Sequence, residues 1–209
     1  MALRTETRRS CCVVRARLNL DLQKMEIRTA TNADRDAVWN IFREVVAPGD
    51  TYALDSNMSR EEALAYWFRA DTHTYVAEEF RQSVGKAMGS SGTAMPSPIV
   101  SRQDRNIVGT YILRPNQSGG GAHVANAAFM VAADARGHGV GRRMAEHCLS
   151  EARRMGFLAM QFSFVVSTNT RAIDLWKQLG FKIVGTLPGA FRHPEKGYVD
   201  VHVMYRALA

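Results

Sequence analysis

The stretch Leu158–Val166 reads Leu-Ala-Met-Gln-Phe-Ser-Phe-Val-Val, an almost wholly apolar run. That is the pattern of a strand buried on both faces, and such a strand needs a covering layer on each side. Helical patterns flank it. Before it lies Gly137–Met155; after it, Asn169–Leu179 places Ala172, Ile173, Trp176 and Leu179 on one side. Gly180 then supplies a left-handed stop and Phe181 folds back on it. A buried strand between two helices already excludes all-helical and sandwich folds.

The rest of the chain extends this scheme. Lys24–Ala30 reads as a first strand. Thr31 and Asp34 form a capping signal for a helix carrying Ala37, Val38, Ile41, Phe42 and Val45, which Pro48-Gly49 ends. Ser59 and Glu62 open a second helix with Ala63, Leu64, Trp67 and Phe68. Thr72–Glu79, Ile107–Leu113 and His123–Val131 read as strands, the last after a Gly-rich turn at Gly119–Gly121. Phe181–Leu187 and Tyr198–Arg206 close the chain around a Pro-Gly loop. The order β-α-α-β-β-β-α-β-α-β-β predicts an α/β fold, a mixed sheet with helices on both faces. Residues 81–105 are rich in Ser, Gly, Met and Pro without periodicity, and are expected to form a flexible insertion in a single domain over 25–209.

The formal charge of +7 hints at nucleic acid, but its distribution argues otherwise. Residues 1–24 hold Arg4, Arg8, Arg9, Arg15, Arg17 and Lys24 against Glu6 and Asp21, a net of +4, which leaves +3 for everything else. The body is near neutral, so no nucleic-acid partner is expected. The leader reads as disordered; the alternative is an organelle transit segment, which would replace a cytoplasmic location with an organellar one. No run of 18 apolar residues appears, so no membrane span is expected. Cys11 and Cys12 are adjacent and Cys148 sits in a helical pattern, which suits a reducing compartment rather than a disulfide framework. The six histidines show no metal-ligand spacing, so no metal is expected.

Chemistry concentrates at Arg136-Gly137-His138-Gly139-Val140-Gly141, between a strand and a helix. The glycines let backbone N–H groups converge on an oxyanion with the positive helix end behind them, and Arg136, Arg142 and Arg143 add charge. The P-loop pattern fails because Arg142-Arg143 stand where Lys and Ser/Thr belong. The dinucleotide pattern fails because Gly141 comes one residue early. A plain flexible turn is the bland alternative.

The spacing Arg-x-x-Gly-x-Gly resembles the pyrophosphate loop of the GCN5-related N-acetyltransferases. Phe129-Met130-Val131 before it resembles the strand that pairs with the pantetheine arm, and Asn169, Ala172, Trp176, Gly180 and Phe181 resemble the family's following helix. The similarity covers about Met25 to Leu208. Ala47–Tyr52, Ser59–Phe68, His123–Asn126, Ala190–Pro194 and Gly197–Tyr205 resemble the branch that acetylates L-azetidine-2-carboxylate and related imino acids. The resemblance implies an acetyltransferase that uses acetyl-CoA and acts on a small-molecule amine, an amino or imino acid by the branch. A protein or peptide N-terminal acetyltransferase is the alternative, and a homodimer is an assembly the family offers.

The resemblance implies direct attack of the amine on the thioester. Alignment contributes up to about 7–11 kcal/mol in such reactions, and an oxyanion donor about 3–4 kcal/mol. The backbone N–H of Met130 or Val131 is the expected donor. The loop residues Arg136 to Arg142 (Gly137, His138, Gly139, Val140 and Gly141 between them), with Asn169 and Trp176, are expected to hold acetyl-CoA. Asn126 is assigned to substrate orientation and, with Asn169, to the catalytic set; Tyr52, Arg192 and His193 complete the acceptor site. Many relatives place a Tyr acid where this chain has Trp176, and an indole cannot give up a proton. His123, Glu44 and Glu78 are candidate bases on residue type alone, with water as the preferred route. Cys148 is expected to be an inert core thiol.

Overall fold

A computed structural model describes residues 25–80 and 105–208; the expected leader at 1–24, with Cys11 and Cys12, and nearly all of the expected insertion at 81–105 lie outside them. Among the described residues seven strands and four helices follow one another in the predicted order. They are β1 (Met25–Thr29), α1 (Arg35–Val46), α2 (Arg60–Trp67), β2 (His73–Phe80), β3 (Arg105–Pro115), β4 (Val124–Val131), α3 (Val140–Arg154), β5 (Ala159–Val166), α4 (Thr170–Gln178), β6 (Lys182–His193) and β7 (Gly197–Ala207). Arg105, expected to close the insertion, instead opens β3.

The strands form one sheet in the order β1-β2-β3-β4-β5-β7-β6. Every neighbouring pair is antiparallel except β4 and β5, which run parallel. Two apolar layers cover the sheet. On one face α1 and α2 pack Val38, Ile41, Phe42 and Trp67 onto Val76, Ile112 and Met130. On the other, α3 and α4 pack Met144, Cys148, Ile173 and Trp176 onto Tyr111, Ala125, Ala127 and Phe162. Small residues bring α3 close: a Cβ on Gly109 of β3 would lie 2.9 Å from the Met144 thioether. Cys148 is fully buried, and burial pushes its thiol well above the usual range, as an inert core thiol requires. No helix among the described residues is long and apolar enough to cross a membrane.

The capping signals act as read. Ser59 and Glu62 form a reciprocal capping box at α2. Thr31 and Asp34 form another, on the one-turn 3-10 helix that leads into α1. Asp34 also takes both branches of the Arg28 guanidinium at 2.8 Å, tying β1 to that turn, while Arg28 reaches Glu78 on β2 at 3.2 Å.

Two readings need correction. Leu158 and Phe164, expected inside a strand buried on both faces, are 61% and 41% exposed. Leu158 precedes β5 and bridges β4 to β7 through its backbone, donating to His123 and accepting from Leu208. Pro188-Gly189, expected to be the last turn, lies inside β6, where a register shift between Leu187 and Phe191 absorbs it and Gly189 N–H donates to Asp200 at 2.9 Å. The reversal of direction is confined to Pro194–Lys196, the far part of the expected loop.

The Arg28 guanidinium holds the Asp34 carboxyl down at about 2. A depressed carboxyl stabilises the fold above its unfolded value, and that contribution fades as pH falls through the folded one. Asp34→Asn is therefore expected to lower the unfolding free energy by about 2 kcal/mol above about pH 5. In urea titrations the difference from wild type should shrink as pH falls towards about 2 and vanish only below it, near about pH 1; a difference independent of pH would contradict this role.

Candidate active site

β4 and β5 pair only at Val124 with Ala159 and Ala125 with Met160. Beyond these residues the two parallel strands diverge, and the sheet opens into a wedge. Backbone parity decides what the wedge exposes. Val124 C=O accepts from Asn116 and Ala132 N–H donates to Val108, so the even-numbered residues of β4 bond to β3. Thr110 pairs with Met130 in this register. The Met130 N–H, one of two expected oxyanion donors, is therefore consumed by the sheet. The amides of Phe129 and Val131 face the wedge.

Tyr52 meets one of them. Its hydroxyl donates to Phe129 C=O at 2.7 Å and accepts from Phe129 N–H at 3.1 Å, clasping one residue of β4 from both sides. Burial pushes the Tyr52 phenol well above its ordinary value, so it acts as a hydrogen-bonding group and holds its proton.

At the wide end of the wedge stands the glycine loop. Arg136 is extended, and Gly137 and Gly139 adopt φ of 85° and 82°, the left-handed region that an L side chain enters only with strain. Gly139 is the N-cap of α3, whose first internal bond is Arg143 N–H to Gly139 C=O. The amides of Val140, Gly141 and Arg142 are therefore free of helix partners and point outward with the helix dipole, about half a positive charge. A cavity of about 480 Å³ lies over them, walled by Arg136, Gly137, Gly139, Gly141, Arg142, Arg171 and the Val131 end of β4. Arg142 is held by Gln178 and Glu146. His138 is exposed and does not line this cavity.

A second cavity of about 360 Å³ lies beside the first, and Thr51, Tyr52, Phe129, Asn169 and Ala172 line both. Trp176 lines the second, not the first, among Phe129, Phe162 and Phe181 with ring centroids at 4.6–5.9 Å. Asn126 is in its wall. Its amide donates to Asn116 Oδ1 at 2.8 Å, and Ser163, fed by Gln161, bonds the same oxygen at 3.2 Å. This network fixes the Asn126 side chain. Asn169 reaches the junction while its Oδ1 caps α4 by accepting from Ala172 N–H at 3.2 Å.

The other expected residues are elsewhere. Arg192 and His193 end β6 and line neither cavity; His193 Nδ1 accepts from Glu195 N–H at 3.1 Å and closes the final turn. Their placement followed from ending the strand at Leu187, whereas β6 runs on to His193. Glu44 caps the backbone at Ala133 at 3.2 Å, Glu78 is paired with Arg28 and Arg105, and His123 is tied to Gly120, so none of the three candidate bases reaches either cavity. Sequence reading missed Asn116, Ser163 and Arg114, all lining or bracing the second cavity; only their register on neighbouring strands unites them. No group of three His, Cys, Asp or Glu side chains converges among the described residues.

Residues 47–181 match the family model described as the acetyltransferase (GNAT) family. The chain is 30% identical to the N-acetyltransferase aca1 of Schizosaccharomyces pombe, over 74% of this chain and 71% of that protein. Its fold superposes on a GCN5-related N-acetyltransferase from Kribbella flavida with a TM-score of 0.74 and 39% identity, covering 88% of this chain and 98% of that one. It also superposes on yncA of Salmonella typhimurium, a structure described with acetyl-CoA, with a TM-score of 0.66 at 22% identity, over 88% and 94% of the two chains.

Removing the Tyr52 hydroxyl leaves two part-buried backbone groups of Phe129 without their protein partner. Tyr52→Phe is expected to cost about 1–3 kcal/mol of unfolding free energy. Chemical denaturation tests this; an unchanged midpoint would mean that the clasp does not hold β4.

Proposed function

Because the chain belongs to the acetyltransferase (GNAT) family and is an acyltransferase, we propose that it carries acetyl-CoA in the wedge and passes the acetyl group to the amine of a small molecule held in the adjoining cavity. The observation that carries this reading is the shared wall of the two cavities. A long anionic thioester seated on the α3 amides has its reactive end led by the free edge of β4 to Tyr52, Phe129 and Asn169, where the second cavity begins. The branch resemblance favours amino or imino acids as acceptors.

The residues fit acetyl-CoA by chemistry. Free amides at Val140, Gly141 and Arg142, with Arg136 and Arg171, suit a diphosphate. The unpaired amides of β4 suit the amide-bearing pantetheine arm, which can pair with them as a missing strand would. Val131 N–H is the β4 amide open to the thioester oxygen; Phe129 N–H joins it when Tyr52 yields. The amine lone pair attacks the thioester carbon, negative charge gathers on the oxygen beneath these donors, and the carbon–sulfur bond breaks.

Proton handling needs no dedicated side chain. Trp176 holds its N–H, and the phenol of Tyr52 holds its proton. Thiolate with a pKa of about 8.5 leaves near neutral pH without protonation. The proton that the attacking nitrogen carries in the tetrahedral adduct passes to water as the neutral amide forms, since neither cavity is sealed. Asn126, fixed through Asn116 and Ser163, presents its amide oxygen to the incoming amine and selects its orientation.

Gly139→Asp tests the seat of the coenzyme. It forces an L residue into φ of 82° and sets a carboxylate against the diphosphate. Calorimetry should show acetyl-CoA binding weakened at least about 100-fold, while circular dichroism remains that of the folded protein. Undiminished affinity would refute the loop as the phosphate seat. Thiol release from acetyl-CoA with amino acids, imino acids, polyamines and N-terminal peptides separates small acceptors from the protein-directed alternative.

A further inference from the structure

The second cavity holds a cation that the proposed chemistry has not used. Arg114, on β3, stands directly across from Asn126 on β4 and lines this cavity half-buried. Several other half-buried or cavity-wall arginines are paired: Arg28 with Asp34 and Glu78, Arg142 with Glu146 and Gln178, and Arg206 with the Leu179 carbonyl. Among the described residues Arg114 has neither a carboxylate nor a carbonyl; its guanidinium lies 5.6 Å from the centroid of the Tyr66 ring. A ring face steadies a guanidinium without neutralising it and leaves its N–H groups free. No aspartate or glutamate lines the cavity among the described residues.

An unneutralised guanidinium in a partly desolvated wall is a receptor for a planar anion, which it takes with two parallel N–H donors. The phosphates of a coenzyme do not supply that anion, since Arg114 is absent from the wall of the cavity over α3. The anion must arrive with the acceptor. Distance sets its size. Asn126 precedes Phe129 by three residues on β4, about 10 Å along a strand. An arginine side chain plus one carbon between amine and carboxylate spans that interval. The same acid-free wall disfavours diamines and polyamines, whose second cation would meet Arg114.

We propose that Arg114 anchors the acceptor's carboxylate, so that the substrates are α-amino or α-imino acids, with Asn126 orienting the amine of the same molecule. This rests on the acyl-transfer reading of the cavity. Arg114 supplies the acceptor-site cation that sequence reasoning sought in Arg192 and His193, which lie at the far end of β6.

The test uses the full chain, acetyl-CoA and matched acceptors: L-proline and L-leucine, their amides, and pyrrolidine and isopentylamine, which lack the carboxyl. Thiol release should favour each acid over its amide and decarboxylated amine by at least about 100-fold in kcat/KM. Arg114→Gln should raise KM for the acids at least about 30-fold and erase the preference, leaving acetyl-CoA affinity and the melting temperature as in wild type. Arg114→Lys should restore part of it. Equal use of acids and amides by wild type, or an equal loss for both in Arg114→Gln, would overturn the anchor and leave acyl transfer standing. Arg114-dependent calorimetric binding of the acids to the CoA complex without any thiol release would sustain the anchor and overturn the transfer reading. Neither binding nor release would overturn both.

Discussion

Two residue pairs hold β4 to β5, and the site exists because the pairing stops there. A parallel seam continued to Val131 would bury the odd-numbered amides of β4 in a ladder and leave no way into the sheet. Opening the seam leaves strong hydrogen-bonding groups in a partly buried wedge, each costing about 1–3 kcal/mol if unmet. The Tyr52 hydroxyl meets those of Phe129; water or a ligand must meet the others. A protein that keeps such groups unpaired is one prepared for a partner that is itself strand-like.

The rest of the architecture aims that wedge. Gly109 lets Met144 approach β3, which seats α3 against the sheet with its N-terminus at the open end. Gly139, in the left-handed region, turns the chain so that three helix amides point outward. In the proposed reading, phosphate recognition uses backbone and dipole, while side chains do the work in the second cavity. Among the described residues that wall is polar but carries no carboxylate, so the reading gives discrimination between acceptors to Asn126 with its braces and to Arg114.

Much of this was legible before the structure. The capping pairs Thr31/Asp34 and Ser59/Glu62, the apolar run into β5 and the Arg-x-x-Gly-x-Gly turn are local signals, and local signals carry the element order, the helix starts and the glycine turn before α3. What failed depends on pairing between distant strands. Whether Met130 or Val131 offers its amide is a matter of parity in the β3–β4 register, which no window of sequence contains. Pro188-Gly189 carries a strong turn signal, yet β7 pairs with β6 on both sides of it, and the bulge carries Arg192 and His193 away from the site. Arg114 and Asn116 sit unremarkably at the end of a strand pattern. Only the facing Asn126 and Ser163 make them part of a cavity.

The central claim is that acetyl-CoA lies in the opened seam, with its diphosphate on the amides of α3 and its thioester at Tyr52 and Phe129. A crystal structure of the complex tests it most directly. Diphosphate oxygens should lie within hydrogen-bonding distance of the backbone at 139–142, with pantetheine amides bonded along the odd-numbered edge of β4. Coenzyme bound on another face, or a seam that closes and excludes the pantetheine arm, would contradict it.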